Sequence, residues 1–467
     1  MAALLLVTPV AHATSLTDVW QLAEQHAPAL EKANAIIEQA RAQHSTALSQ
    51  LLPALNLNAN RVVDNQSANG PQFYGSNIVA VSQAANTRTN GWTLQLNQPI
   101  FNWQAMQNLS AADDGEAAGI ANAEAARQSL MATLAQDYLA VLNAQAQLDA
   151  SREAETGFAN QAFQAEARYK AGLSGIIGAD ETEAALAQAQ SDTLAAGQTL
   201  KQARRQLDID TGTHVSGPFP ALPAELVLPL PSDRGEAEYL RTALDQNPAL
   251  AAARLEWSSA GHTLSGTHAG YLPSVSLVLS HERNFVTGST DFAAPGSDVT
   301  SPATQDASQN VLGVQLSWAL FSGGATRAAS QAAQANERTA DATLRTTQLT
   351  VKSQVSNALD GIASNQQRVK QLQAGVVSAQ SAVTATAAAV AKGLSTEQNL
   401  VIARQALLQL KTGYAGAVVD LVTSRLQLAQ ALGRLTPALL AQVSRQIGTT
   451  PETSASNSLP PSGDTQP

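Results

Sequence analysis

Seven histidines are scattered along the chain, at His12, His26, His44, His214, His262, His268 and His281. None stands four residues from another beside a carboxylate, the spacing that would set two imidazoles on one helix face for zinc. The chain has no cysteine. That removes disulfides, thiolate metal sites, a cysteine nucleophile and a lipidated cysteine. Nor does it hold a GxxxxGK[ST], GxGxxG or GxSxG element for phosphate binding or a nucleophile elbow. The expectation is a chain with no active site, no cofactor and no metal, whose energy comes from a partner. What remains is acidic chemistry beside two Gly-Leu-Ser stretches. Asp180, Glu181 and Glu183 follow the first, Glu397 and Asn399 follow the second, and Lys170 and Lys392 precede them. Carboxylates there suit the first turns of solvated helices, where the helix dipole stabilises them. Repeated around a symmetry axis, they would instead form acidic rings that favour cations.

The elements that position these groups follow from composition and pattern. The 467 residues carry a net charge of −10, only 4% aromatics and only 14% charged side chains. Such a mixture builds long helices with small contact residues rather than large aromatic cores. An acidic chain without a basic tract is a poor nucleic-acid partner. Residues 1–13 read as a signal peptide: Ala2–Ala11 is a short apolar core and Ala11-His12-Ala13 a small-x-small cleavage site, with export and cleavage near Thr14. The alternative is the apolar first turn of a helix. No helix is expected to span a membrane, since the best charge-free stretch, Gln371–Ala391, is studded with Gln, Ser and Thr. Membrane contact would then have to come from strands.

The chain repeats itself. Ala27-Pro28-Ala29-Leu30 returns as Asn247-Pro248-Ala249-Leu250. Leu52-Pro53-Ala54-Leu55 returns as Leu272-Pro273-Ser274-Val275, and Leu94-Gln95-Leu96 as Val314-Gln315-Leu316, all 220 positions on. Gly172-Leu173-Ser174 and Gly212 return 221 positions on, as Gly393-Leu394-Ser395 and Gly433. The repeats are read as residues 14–212 and 236–435. A Pro-rich linker, residues 213–235, joins them, and residues 436–467 are read as a disordered polar tail.

Each half holds two stretches in which apolar and polar side chains alternate. They are Leu55–Asn60 and Trp92–Asn97, then Val275–Ser280 and Leu312–Trp318. Each predicts a strand with one apolar and one wet face. A small soluble sandwich would turn the apolar face inward, whereas a membrane barrel would turn it to lipid. Four strands are too few to close a barrel, for which about eight is the usual minimum, so several chains would share one. Three chains would supply twelve strands. The joining segments, Gln66–Asn90 and Asn284–Asn310, are read as long polar outer loops.

Proline is absent from Asn102 to Lys170 and from Ser322 to Lys392, which predicts helices about 100 Å long. Val355, Ile362, Val369, Val376, Val383 and Val390 recur every seven residues, as do Leu134, Val141 and Leu148 in the first half. The returning stretch carries Leu400, Leu407, Tyr414, Leu421 and Leu428 at the same spacing. A sustained period of seven implies left-handed supercoiling. The companion positions are mostly Ala, Gln, Thr and Asn. Both an ordinary bundle core and a sheet of helices curled into a tube fit this stripe.

In this order and twice over, the helix, Leu-Pro strand, loop, strand ending in Pro-Ile-Phe or Ala-Leu-Phe, long helix, Gly-Leu-Ser turn and return helix resemble the TolC family of outer-membrane exit ducts. The resemblance covers Ser15–Leu435. It implies a mainly α fold with a membrane β-barrel: a homotrimer whose duplicated antiparallel coiled-coil hairpins form a periplasmic α-helical tunnel, four strands per chain entering a shared twelve-strand barrel in outer-membrane lipid. It implies docking of a periplasmic adaptor and an inner-membrane pump at the hairpin tips, through Gly172, Leu173, Ser174, Gly393, Leu394 and Ser395. Substrates, a type I secreted protein or small molecules in efflux, would pass unchanged, with secretion slightly preferred. Pro53, Pro99, Phe101, Pro273 and Phe321 would mark the change from barrel to tunnel. Asp180, Glu181, Glu397 and Asn399 would be the candidates for the tunnel constriction.

The chain also departs from the family pattern. Family members commonly carry Asp six residues past the tip glycine, where this chain has Asn399, and another one turn later, where it has Ile402. In the first half Asp180 stands displaced by two apparently inserted residues within Ser174–Ala179. The Arg that some members carry two residues past the second glycine is Ser395 here. An aspartate ring and an Arg latch are both put in question. The competing class is a periplasmic or surface coiled-coil structural protein that forms no channel. An adaptor would be expected to carry one hairpin set in β-domains, not two duplicated hairpins with paired strands.

Overall fold

In a computed structural model the described residues are 13–74, 76–222 and 235–448. Most of the signal-peptide stretch, part of the Pro-rich linker and residues 449–467 lie outside them. The element order runs helix, helix, strand, strand, long helix, return helix, and then repeats. In the first half these are α1 (Leu16–His26), α2 (Pro28–Ser49), β1 (Ala54–Tyr74), β2 (Asn77–Phe101), α3 (Trp103–Lys170) and α4 (Ile176–Thr211). In the second they are α5 (Glu236–Gln246), α6 (Pro248–Thr267), β3 (Ser274–Ala294), β4 (Ser297–Pro302), β5 (Gln305–Ser317), α7 (Ala325–Ala391) and α8 (Glu397–Ala431). A final helix, α9 (Pro437–Gly448), follows.

The chain divides into two compact units. The first gathers the described residues of 1–36, 120–252 and 345–467, and it is helical. Its largest core joins Leu16, Val19 and Trp20 of α1 with Leu134, Tyr138 and Leu142 of α3, Leu207 of α4, and Val422 and Leu426 of α8. Ser15 and Asp18 form a reciprocal capping box that starts α1, satisfying two backbone donors that would otherwise be orphaned. The Tyr138 hydroxyl donates to the Thr14 carbonyl over 2.9 Å. The heptad stripe forms the helix contacts as its period requires. Leu134, Val141, Leu148, Val355, Val390, Leu400, Leu407, Leu421 and Leu428 are buried, and Ile362, Val369, Val376, Val383 and Tyr414 are half-buried.

One expectation fails in this unit. The tail read as disordered from residue 436 begins with α9, whose Leu440, Val443 and Ile447 are buried in the core around α1. Three apolar residues at helical spacing outweigh the polar composition that follows them. No helical membrane span was expected; α7 contains one stretch that passes for a span by length and composition alone, which does not make it one. Its abundant Ala and Val raise the hydropathy above what the interspersed Gln, Ser and Thr remove. The 67-residue helix is about 100 Å long against a hydrocarbon layer of about 30 Å.

The second unit holds residues 37–119 and 253–344. Its sheet runs in the order β1-β2-β3, with β4 and β5 pairing successive stretches of β3, all antiparallel. The last strand is thus one path broken near Ala303. Register puts Leu57 opposite Leu94, Leu55 opposite Leu96, Leu279 opposite Leu312 and Val275 opposite Leu316. These side chains share one face of the sheet, and Leu55, Leu57, Leu312, Val314 and Leu316 are all more than 60% exposed. Among the described residues β1 and β5 each pair on one side only.

The long polar loops are not found. Gln66–Asn90 and Asn284–Asn310 are largely strand: β1 pairs with β2 without a break from Ala54↔Asn97 to Tyr74↔Asn77. Asn, Thr, Ser and Gln carry no alternating apolar signal there, but their backbones complete the ladder, which is what the hairpin stabilises.

Candidate functional site

Each long hairpin reverses through the same backbone geometry. Gly172 (φ 72°) and Gly393 (φ 74°) lie in the left-handed region. The Leu173 N–H reaches back to the Arg168 carbonyl and the Gly172 N–H to that of Tyr169, both at 2.9 Å. Leu394 and Gly393 repeat the pattern with the carbonyls of Ala389 and Val390. These paired bonds satisfy carbonyls left free at the end of a helix, and glycine carries the turn because a Cβ is penalised there. Leu173 and Leu394 project into solvent, 78% and 79% exposed.

The return helices then start differently. α4 begins after Gly175 with no side-chain cap, and Ile176 and Ile177 are exposed. Thr396 caps α8 by accepting the Asn399 N–H, and the Asn399 side chain donates to Ser395 over 3.1 Å. Gly175 and Thr396 stand 221 positions apart, the same offset as the two turn glycines. No insertion therefore separates the tips, and Asp180 lies level with Val401 rather than Asn399.

The structure places the proposed constriction residues in two different environments. Asp180, Glu181, Glu183 and Asn399 are exposed. Glu397 is not: its side chain is 14% exposed and pairs with Arg168 of α3 over 2.9 Å. Gln161 of α3 donates from Nε2 to both the carbonyl and the carboxylate of Glu397, at 3.0 and 3.1 Å. Arg168 also reaches the Val390 carbonyl. Arg168 thus ties both the start of α8, through the Glu397 carboxylate, and the end of α7 to α3. Arg404, further along α8, lies over Gly157 of α3, where a Cβ would collide with its guanidinium. Burial lowers the Arg404 pKa and the charge of Glu397 opposes that shift.

Arg168, Gln161 and Arg404 were missed from sequence. A signal was present in Gly157, a helix-interior glycine that costs about 1 kcal/mol relative to Ala unless close packing requires it. Lys170 pairs within its own helix with Glu166 over 2.7 Å.

The five junction residues sit where strands meet helices. Pro53 and Pro273 immediately precede β1 and β3, and Phe321 lies between β5 and α7, 88% exposed. Pro99 and Phe101 end β2 at a register shift against β3. Asn102 caps α3, its side chain accepting the Ala105 N–H at 3.1 Å.

With this geometry in view, comparison with known proteins is decisive for the family. The model of the outer membrane efflux protein family matches residues 19–213 and 239–434, so the chain belongs to that family. It is 27% identical over 459 residues to the outer membrane protein TolC of Salmonella enteritidis, covering 96% of this chain and 88% of that one. It is 26% identical over 469 residues to the alkaline protease secretion protein AprF of Pseudomonas aeruginosa, covering 96% and 91%. Among solved structures it resembles the outer-membrane channel OprN (TM-score 0.74, 20% identity, 90% of this chain and 89% of that one). It also resembles VceC of Vibrio cholerae (TM-score 0.70, 19% identity, 90% and 96%).

Proposed function

We propose that the chain is the outer-membrane exit duct of a tripartite export system, conducting substrates passively from an inner-membrane pump, through the periplasm, to the outside. The observation that carries this reading is the sheet: an exposed apolar face on strands whose two outer edges are open. Open edges are not tolerated in lipid, so the sheet needs copies of itself. Three chains would place twelve strands in one barrel with the apolar face on lipid. The two repeats, residues 14–212 and 236–435, would supply the hairpins of the tunnel, with residues 1–13 removed on export. The tips at Gly172, Leu173, Ser174, Gly393, Leu394 and Ser395 would meet the adaptor, and Asp180 and Glu181 would line the narrow end. Similarity to a protein named for alkaline protease secretion favours a secreted protein as cargo over small molecules.

The test is single-channel recording in planar bilayers from detergent-purified protein, with cross-linking in parallel. Discrete steps from a three-chain species are expected; an electrically silent protein that stays in solution without detergent would overturn the reading. Leu94→Arg is expected to impair membrane assembly more than Gln95→Arg, because an arginine on the lipid side costs about 2–4 kcal/mol near the bilayer centre.

A further inference from the structure

Where the end of α8 meets the start of α6, the helical unit leaves a gap. The junction itself is closed by the Asn247 side chain, which donates to the Ala431 carbonyl at 3.0 Å and accepts the Leu250 N–H at 3.1 Å. Beside it, α3, α6, α7 and α8 border a half-open cavity of about 530 Å³, within the range that holds small-molecule ligands. Five glutamines from three helices line it: Gln128 and Gln136 of α3, Gln354 of α7, and Gln427 and Gln430 of α8. Among the described residues no charged and no aromatic side chain contributes to the wall.

Gln128 is the most tightly held of them. It is 4% exposed. Its Nε2 donates to the Glu124 carboxylate at 3.0 Å and to the Gly433 carbonyl at 3.3 Å. Both partners are acceptors, so the nitrogen must face them and the oxygen is forced to the other side. That Oε1 is buried and has no donor. A buried acceptor left unpaired costs free energy, but this oxygen is closed off from the cavity and a molecule bound there does not reach it.

We propose that this cavity binds a neutral polyol. The absence of charge from the wall disfavours an ionic ligand, which would lose hydration with no counter-charge to replace it. Glutamine amides both donate and accept, as do hydroxyl groups, so a polyhydroxylated molecule matches the wall. Ala125, Val351 and Ala358 give its carbon skeleton a small apolar floor. A bound polyol would bridge α3, α7 and α8, and binding here does not depend on the channel reading.

The experiment is saturation-transfer NMR on the purified full-length protein, in a zwitterionic detergent without a sugar headgroup, with trehalose as the probe and gluconate as its charged counterpart. Trehalose is expected to give a signal and gluconate none. Gln427→Leu, which changes the wall but not the buried Gln128 network, is expected to weaken binding about fivefold through one lost hydrogen bond, with unchanged melting. No trehalose signal from folded wild-type protein would show a cavity filled by water alone and overturn the proposal. Equal signals from wild type and Gln427→Leu, or equal binding of gluconate, would also overturn it.

Discussion

At the seam between α3 and the end of α4, Asp137 hydrogen-bonds Asp210. At the matching seam 221 positions on, between α7 and the end of α8, stand Ala358 and Ala431, both buried in an apolar cluster. The tips diverge in the same manner. The first residue of α4 is the exposed Ile176, and its counterpart in α8 is Glu397, drawn onto Arg168 and Gln161. Duplication has preserved the backbone, including both left-handed glycine turns, while the side chains have taken separate tasks. One hairpin receives the tie at its long helix, and the other delivers it from its return helix.

The largest effect is expected from breaking that division at the tips. Glu397→Ala removes the carboxylate from Arg168 and Gln161, leaving them only the backbone carbonyls of Val390 and Glu397, and should lower stability by about 2 kcal/mol, read as a fall in melting temperature. Ile176→Ala should cost clearly less, and equal losses would erase the contrast. Gly172→Ala and Gly393→Ala come next. Open space surrounds both glycines, so only the left-handed backbone is penalised, and each should lose about 1 kcal/mol. Here the halves should agree, and a marked inequality would show that the two turns are not equivalent.

The seam provides a pH test. Burial, reinforced by Asp210, pushes the Asp137 carboxyl up to about 7, whereas an unfolded aspartate titrates near 4. Between those values the folded chain holds a proton that the unfolded chain has released. The contribution of this carboxyl is therefore complete below about pH 4 and is lost as the pH rises through 7. The melting temperature should fall between pH 5 and 8. Replacing Asp137 and Asp210 together by Ala, as the second half has it, should flatten that slope. The smallest effect belongs to the exposed carboxylates: Asp180→Asn with Glu181→Gln should change stability by less than about 0.5 kcal/mol and be read instead as reduced cation preference in single-channel recordings.

Much of this architecture was written in period and punctuation. Absent prolines marked the two long helices to within a few residues, and the valine and leucine heptads marked their buried faces. Gly172, Gly393 and the Leu-Pro pairs marked the turns and strand starts, because glycine and proline act through local backbone geometry alone. The polar halves of the strands carried no such mark, since β1 beyond Asn60 is held by a ladder that side-chain alternation does not report. α9 was hidden by the composition around it. The role of Glu397 depends on Arg168 and Gln161, which stand more than 220 positions away and meet it only through the packing of α8 on α3.

The burial of α9 around α1 has a consequence for the order of folding. Leu16, Val19 and Trp20 are made long before Leu440, Val443 and Ile447, with which they share a core. Closing so long a loop adds an entropic cost that grows only slowly with length, but it sets a sequence in time. The hairpins can wind from local contacts as they emerge, whereas the core around α1 must wait for α9. Until then its tryptophan and leucines stay uncovered, the condition in which long chains aggregate. A chain cut before Pro437 would never leave that state.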